Sequence, residues 1–411
     1  MQSILSLVAK KSYVKILLVH NSHRSGSSSG DDVVFNKEFS LLKEYGEGVA
    51  KLDPSNDEYD KSSAGRKLLT IIQIPWSFSF YSKIKELLKR EKPDVIHIHN
   101  FFPFISPSVF YAADSLHIPV VQTLHDFRYL CPMAFFMRSG NICTECRDGR
   151  FFRSITYGCF KGSKLQTVPL AFMLKLHNYL KTFKKKIDGY ICLTESQRKI
   201  FLDAHFDEKK LFIKPNFVDD TYEQKGYKYG DYAVFIGRLG EEKGIRTLIG
   251  AWRELSDIPL KIIGSGPDAD EFKSLVSDLG IQNIEFLGYK PYLECRKILN
   301  DARFLIMPSI WYETFGLTII EAFSHGKPVI ASHLGAMADL VKDKITGLLF
   351  TPMNTQELAD KVRWLWNNPE ECKRMGLNAR KEYETKYTPG KNYEMLMEIY
   401  NKVIETKRLR D

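Results

Sequence analysis

Short runs rich in Val, Ile and Leu recur along the chain, and the stretches between them bring apolar residues back at helical spacing. That alternation predicts βαβ units and parallel sheets, since a strand covered by helices on both faces is apolar throughout. In the first part, residues 14–20, 94–98, 119–124, 189–193 and 211–214 read as strands. In the second, residues 233–237, 260–263, 284–287, 304–307, 328–331 and 347–350 do. The polar segment 215–229 has no apolar period and reads as a linker. The expected organisation is a domain over 1–215, a second over 216–388, and a last helix over 389–411 that packs back on the first domain. Doubly wound sheets take ligands beyond the C-terminal ends of their strands, so two such halves are expected to face a shared cleft.

The residues at those strand ends carry the candidate chemistry. After the strand at 304–307, a loop presents Glu313, a helix begins near Phe315, and Glu321 follows within it. Free backbone N–H groups at the helix start and the positive end of its dipole suit a polyhydroxylated ligand, from whose vicinal hydroxyls a carboxylate can accept hydrogen bonds. A capped helix with surface carboxylates has the same spacing. Gly237-Arg238-Leu239 and Lys243-Gly244 close the first strand of the second half. Fixed cations there can meet a diphosphate, at roughly 1.5 to 3 kcal/mol per charge-assisted contact; a solvated Arg and Lys is the plainer account.

Ser29-Gly30-Asp31-Asp32 follows the first strand, and Gly30 lets the backbone approach a phosphate or an acceptor oxygen. His125 ends another strand of that half, while His97, His99 and Asn100 end a third and read equally as hydrogen-bonded structural residues. Gly264-Ser265-Gly266-Pro267-Asp268-Ala269 fits the dinucleotide fingerprint G-x-G-x-x-A. Taken alone it suggests a dehydrogenase; beside the cations and carboxylates of the second half it reads as a ligand-facing loop, with Gly264 at its turn. Asp268 and Asp270 imitate a metal motif but start a helix, so no catalytic metal is expected.

Composition narrows the classes. The 411 residues are 44% hydrophobic and 27% charged, ordinary for a globular protein of two or three domains. A net charge of +9 favours anionic partners. No apolar run approaches the roughly 20 residues that span a bilayer, and the weak patch at 4–8 lacks a signal-peptide pattern. The expectation is a cytoplasmic protein without a disulfide framework, given seven cysteines. Cys131, Cys143, Cys146 and Cys159 have the number and spacing of a tetrahedral zinc site, with free thiols as the alternative. Residues 168–186 read as a basic amphipathic helix through Leu170, Phe172, Met173, Leu176, Leu180 and Phe183, either lying on an anionic inner membrane face or simply packed.

The pair Glu313 and Glu321, set in Trp-Tyr-Glu-Thr-Phe-Gly-Leu, resembles the donor-site motif of the family-4 retaining glycosyltransferases of the GT-B fold (group 1 type). The Gly30 loop, His125, Asn216, Arg238 with Lys243, Gly264 to Pro267, and the two glutamates stand in that family's order. The resemblance implies that Glu313 and the backbone at Phe315, Gly316 and Leu317 hold sugar hydroxyls and that Glu321 holds the ribose. Arg238 and Lys243 would sit on the donor phosphates and His125 near the reacting sugar. The cysteine segment 131–159 looks like an insert of one subgroup, near the acceptor side. The implied activity is metal-independent transfer of a hexose-type sugar from a nucleotide sugar to a glycan or lipid-linked acceptor in cell-surface polysaccharide synthesis, with no nucleic-acid partner. Departures are Ser29, where the family has a second glycine, and Asp339 in place of a glutamate. The rival readings are a nucleotide-sugar epimerase of the same fold, and a non-catalytic protein that binds membrane or nucleic acid through its basic surface.

Overall fold

A computed structural model describes residues 13–23, 29–57, 61–220 and 230–410. The patch expected at 4–8, most of the loop 25–29 and the stretch 221–229 of the expected linker lie outside the described residues. The chain resolves into two compact units, one drawn from Met1–Thr123, Leu176–Tyr190 and Met397–Asp411, the other from Leu124–Lys175 and Ile191–Leu396.

The strands are β1 (Lys15–Val19), β2 (Gly48–Leu52), β3 (Val95–Ile98), β4 (Val120–Thr123), a short hairpin of β5 (Met137–Arg138) and β6 (Asn141–Ile142), β7 (Gly189–Cys192), β8 (Leu211–Ile213), β9 (Ala233–Ile236), β10 (Leu260–Ile263), β11 (Ile284–Gly288), β12 (Phe304–Met307), β13 (Val329–Ser332) and β14 (Gly347–Phe350). Two six-stranded sheets result, in the orders β2-β1-β3-β4-β7-β8 and β11-β10-β9-β12-β13-β14. Pairing within both is parallel, for instance Ile16↔Val95 between β1 and β3 and Leu305↔Val234 between β12 and β9. The apolar runs are apolar because they are covered: Leu17, Leu18 and Val19, and Val234 and Phe235, are fully buried.

Each sheet reverses its winding beside its first strand, between β1 and β3 in one and between β9 and β12 in the other. Neighbouring loops diverge at such a switch point and leave room for a ligand at the carboxyl ends of the strands. The loops that follow β9, β10 and β12 therefore lie side by side.

β2 had no apolar run to announce it. Its sequence, Gly-Val-Ala-Lys-Leu, lies at the sheet edge and is half-buried, so no strong pattern is required of it.

The basic segment 168–186 departs from a single amphipathic helix. A helix runs over Lys164–Tyr179, Lys181 adopts a left-handed conformation at φ 55°, and a short helix covers Thr182–Lys186. Leu170, Met173 and Phe183 are buried, Leu176 is half-buried, and Phe172 and Leu180 are exposed, so the apolar residues of the segment are divided between core and solvent.

Candidate functional site

The backbone sets the site in the second unit. Between β9 and the helix Ile245–Trp252, the chain turns through Gly244 at φ 70°, where a Cβ would stand 1.9 Å from the carbonyl oxygen of Pro308. Only glycine lets the loop after β9 approach the loop after β12 so closely. The main chain of Ile310 then donates to the carbonyl of Glu242 at 2.9 Å, which fixes the two loops together.

That contact brings Lys243 to Glu313. Lys243 Nζ lies 2.6 Å from Glu313 Oε1, and Ser309 donates its hydroxyl to the same oxygen at 2.9 Å. Glu313 is only 8% exposed. Burial alone would raise its pKa, but the Lys243 charge and the hydrogen bonds outweigh burial and hold the carboxyl below the usual range. The Lys243 ammonium also stands 5.3 Å from the Trp311 ring centroid. Arg238, half-exposed at the mouth of the same loop, pairs with Glu242. Two cations and a buried carboxylate thus collect at the switch point of this sheet.

Beyond Glu313 the chain passes through Gly316 at φ 107° and enters the helix Leu317–Ser324, two residues later than its expected start. Phe315 turns its side chain into the core, against Tyr387 with ring centroids 6.3 Å apart, so only its backbone remains to meet a ligand. Glu321 lies on the helix, half-buried.

Gly264 and Gly266 have a packing reason. A Cβ on Gly264 would stand 1.8 Å from the carbonyl oxygen of Gly237, and one on Gly266 would stand 2.1 Å from that of Leu239. Leu239 N donates to Ser265 O at 2.9 Å, and Glu241 N to the Asp268 carboxylate at 3.0 Å. The fingerprint-like glycines let the loop after β10 lie against the loop that carries Arg238. Asp268 fastens that loop.

His125 belongs to the same compact unit. Its carbonyl oxygen accepts from the Thr314 hydroxyl at 3.0 Å, which ties the residue next to Glu313 to the one that bears the imidazole. Asp339 accepts from the main-chain N–H of Ser196 at 2.6 Å and from its hydroxyl at 2.8 Å, at the start of the helix Glu195–Asp203.

In the first unit, Gly30 opens the helix Gly30–Glu44 behind an N-cap at Ser29, and Ser29 and Asp32 form a reciprocal capping box. The serine that replaces a second glycine is thereby explained as a cap. His20 Nε2 lies 2.7 Å from Asp32 Oδ1, and His23 N donates to that oxygen at 3.0 Å. These bonds overcome burial and push the Asp32 carboxyl far below the carboxylate range. His97 and His99 are fully buried and structural in their contacts. His97 Nδ1 lies 2.7 Å from the Tyr400 hydroxyl and its Nε2 2.7 Å from Thr123 Oγ1, while Glu38 Oε1 lies 3.1 and 3.2 Å from His97 and His99. Asn100 accepts from Phe102 N at 2.9 Å. Among the described residues, His20, His23 and Asp32, and Glu38, His97 and His99, are the triads whose ligand atoms lie within 4.8 Å of one another.

The four cysteines of the insert line one cavity together with Arg138, Glu145 and Arg153. Burial, then the charges of the other three, pushes the Cys146 thiol up to about 12; Cys131 and Cys159 are raised as well. The donor set suits a soft divalent cation, and the sulfurs are not drawn as close as the two triads are.

Sequence reasoning missed Ser309, Thr314 and Glu242 as partners. Only adjacency to Glu313 and Lys243 pointed to them, and their bonds depend on the meeting of loops some 70 residues apart.

Comparison with known proteins agrees with this arrangement. A family model described as "Glycosyl transferases group 1" matches residues 221–382, and one described as "Glycosyltransferase Family 4" matches residues 53–222. An uncharacterized glycosyltransferase of Methanocaldococcus jannaschii is 27% identical over 332 residues, covering 80% of this chain and 81% of that protein. O-antigen chain mannosyltransferase C of Escherichia coli is 27% identical over 179 residues, 43% of this chain and 48% of that one. The crystal structure of HepE from Anabaena in complex with UDP has the same GT-B fold at a TM-score of 0.67 and 17% identity, covering 95% of this chain and 100% of that one.

Proposed function

We propose that this chain, which belongs to the group 1 glycosyltransferases of family 4, moves a hexose-type sugar from a nucleoside diphosphate sugar to a glycan or lipid-linked acceptor, keeping the anomeric configuration, in the synthesis of a cell-surface polysaccharide. The observation that carries the reading is the Lys243–Glu313 pair at the switch point of the second sheet, with Arg238 on the same loop.

In this reading the bond between the anomeric carbon and the diphosphate oxygen breaks as the acceptor oxygen bonds that carbon from the same face, and the acceptor's hydroxyl proton passes to the departing diphosphate. Negative charge grows on the diphosphate, and Arg238 and Lys243 supply the counter-charge that makes it a better leaving group. Glu313, held ionised by Lys243 and Ser309, accepts from sugar hydroxyls; the N–H groups at Phe315, Gly316 and Leu317 reach the remaining oxygens, and Glu321 takes the ribose hydroxyls. His125 positions the sugar, Gly264 keeps the neighbouring loop close, and Gly30 offers backbone to an acceptor or phosphate oxygen. HepE was crystallised with UDP and the E. coli relative is named for O-antigen chains, which makes uridine diphosphate sugars the first donors to test and polymer synthesis the first context.

Calorimetry of the wild type and Glu321→Ala against uridine, guanosine and adenosine diphosphate sugars tests the reading. The wild type should bind one of them, and the variant should bind it at least tenfold more weakly. A wild type that binds none, or that releases a free epimerised sugar nucleotide without transfer, would falsify it.

A further inference from the structure

The helix Ala64–Gln73 wears its apolar stripe on the outside. Leu68, Leu69 and Ile72 fall at positions i, i+1 and i+4, on one helical face, and are 59%, 51% and 65% exposed. In an ordinary surface helix this is the face turned to the core. Phe78, at the start of the helix Phe78–Glu91, is 76% exposed. Tyr179, at the end of the helix Lys164–Tyr179, is 82% exposed.

These groups adjoin one another within the first unit. His177 Nε2 lies 2.8 Å from the carbonyl oxygen of Pro75, and the Tyr111 hydroxyl lies 2.8 Å from Thr182 Oγ1. Trp76 packs edge-on against Tyr111 at 5.0 Å and meets Phe78 at 5.9 Å. The link at 74–78 and the turn at 177–182 are thereby locked together, and both exposed apolar sets flank that lock.

Charge identifies the partner. Residues 61–85 contain five Lys or Arg and no Asp or Glu; residues 176–186, the part of the basic segment 168–186 that belongs to this unit, contain four Lys and none. Together they carry nine positive charges, of which Lys186 is paired with Asp114. An apolar stripe bordered mainly by cations matches the boundary between acyl chains and anionic headgroups, where apolar side chains enter the one and lysines meet the other.

We propose that this surface docks on an anionic lipid bilayer, with Leu68, Leu69, Ile72 and Phe78 in the interface and Lys181, Lys184 and Lys185 on the headgroups. The proposal deepens the proposed function by setting the reaction beside a lipid-linked acceptor, and rests on that reading for the acceptor alone.

Flotation of the full chain, without any nucleotide sugar, on vesicles of phosphatidylcholine alone and of phosphatidylcholine mixed with phosphatidylglycerol is the test. The chain should float with the mixed vesicles, stay behind with the neutral ones and be released by salt. The doubly substituted Leu68→Glu, Ile72→Glu chain and the Lys181→Glu, Lys184→Glu, Lys185→Glu chain should each lose at least about tenfold in bound fraction. Both sets are exposed, and an unchanged Tm confirms that the variants fold. Equal flotation on both vesicles, none on either, or undiminished flotation of the first variant overturns the proposal. So does a dimer in sedimentation equilibrium that the first variant dissolves, which would make the stripe a contact between two copies. A chain that floats as expected yet binds no nucleotide sugar leaves the docking surface standing and removes the proposed function instead.

Discussion

Thr314 donates its hydroxyl to the carbonyl oxygen of His125 across 3.0 Å, so the residue that follows Glu313 also fixes where the backbone of His125 lies. Thr314→Val keeps the shape and removes the donor. A neutral hydrogen bond contributes about 1 kcal/mol, which corresponds to roughly a fivefold loss in kcat/KM if the bond positions the imidazole. Thr314→Ser should restore activity, and the loss should fall on kcat more than on KM. Steady-state kinetics with an unchanged Thr314→Val enzyme would remove His125 from the transferring arrangement.

The Lys243–Glu313 pair is buried enough for its halves to depend on each other. Lys243→Ala leaves an ionised carboxylate buried in the protein without its cation, and breaking a buried pair this way costs about 3 to 5 kcal/mol. Glu313→Gln together with Lys243→Ala should cost less than the two single changes combined, because neither charge is then stranded. Denaturant unfolding of the four proteins in the cycle measures this. Additive losses would mean that the two side chains do not support one another.

How far this could be read in advance depends on how local each signal is. The strand ending at Met307, the loop bearing Glu313 and the two cations after β9 were legible, because a buried parallel strand must be apolar and the residues at its C-terminal end are the ones with chemistry to offer. The edge strand β2 was not, since half-burial asks little of Val49 or Lys51. The glycines at 264 and 266 were legible as special but not in their reason: their close neighbours are Gly237 and Leu239, on a different loop. Asp339 looked like a departure from a pattern, and its partner Ser196 lies 143 residues away in the chain. The apolar residues of 168–186 left two readings open, membrane-facing or packed, because helical spacing marks a stripe without saying whether protein or solvent covers it.

Cys131, Cys143, Cys146 and Cys159 share one cavity, and neighbouring cysteines add to burial in raising the cost of ionising the Cys146 and Cys159 thiols. A divalent cation reverses that cost, since four thiolates at about 2.3 Å from zinc are stabilised together. Elemental analysis of the full chain purified without chelator should give one zinc per chain, and stripping it should lower Tm. Cys146→Ser should lose the metal. Sub-stoichiometric zinc, with no loss of stability on chelation, would leave the four as free thiols.

His99 gives the fold an acid-sensitive limb. It is fully buried, facing Glu38, His97, His20 and the ring of Phe35. Burial first, and the neighbouring His97 second, push its pKa from the ordinary 6.5 down to about 3. Between those two values the unfolded chain takes up a proton that the folded chain refuses. Stability is therefore full above pH 6.5 and falls on acidification, by about 1.4 kcal/mol per pH unit for that proton. His99→Gln retains a donor for Glu38 without a titrating ring. Between pH 6.5 and 5, where carboxylates remain ionised, its unfolding free energy should decline less steeply with acid than that of the wild type. Two parallel slopes would show that the folded protein takes up that proton as readily as the unfolded chain, and that burial does not hold His99 neutral.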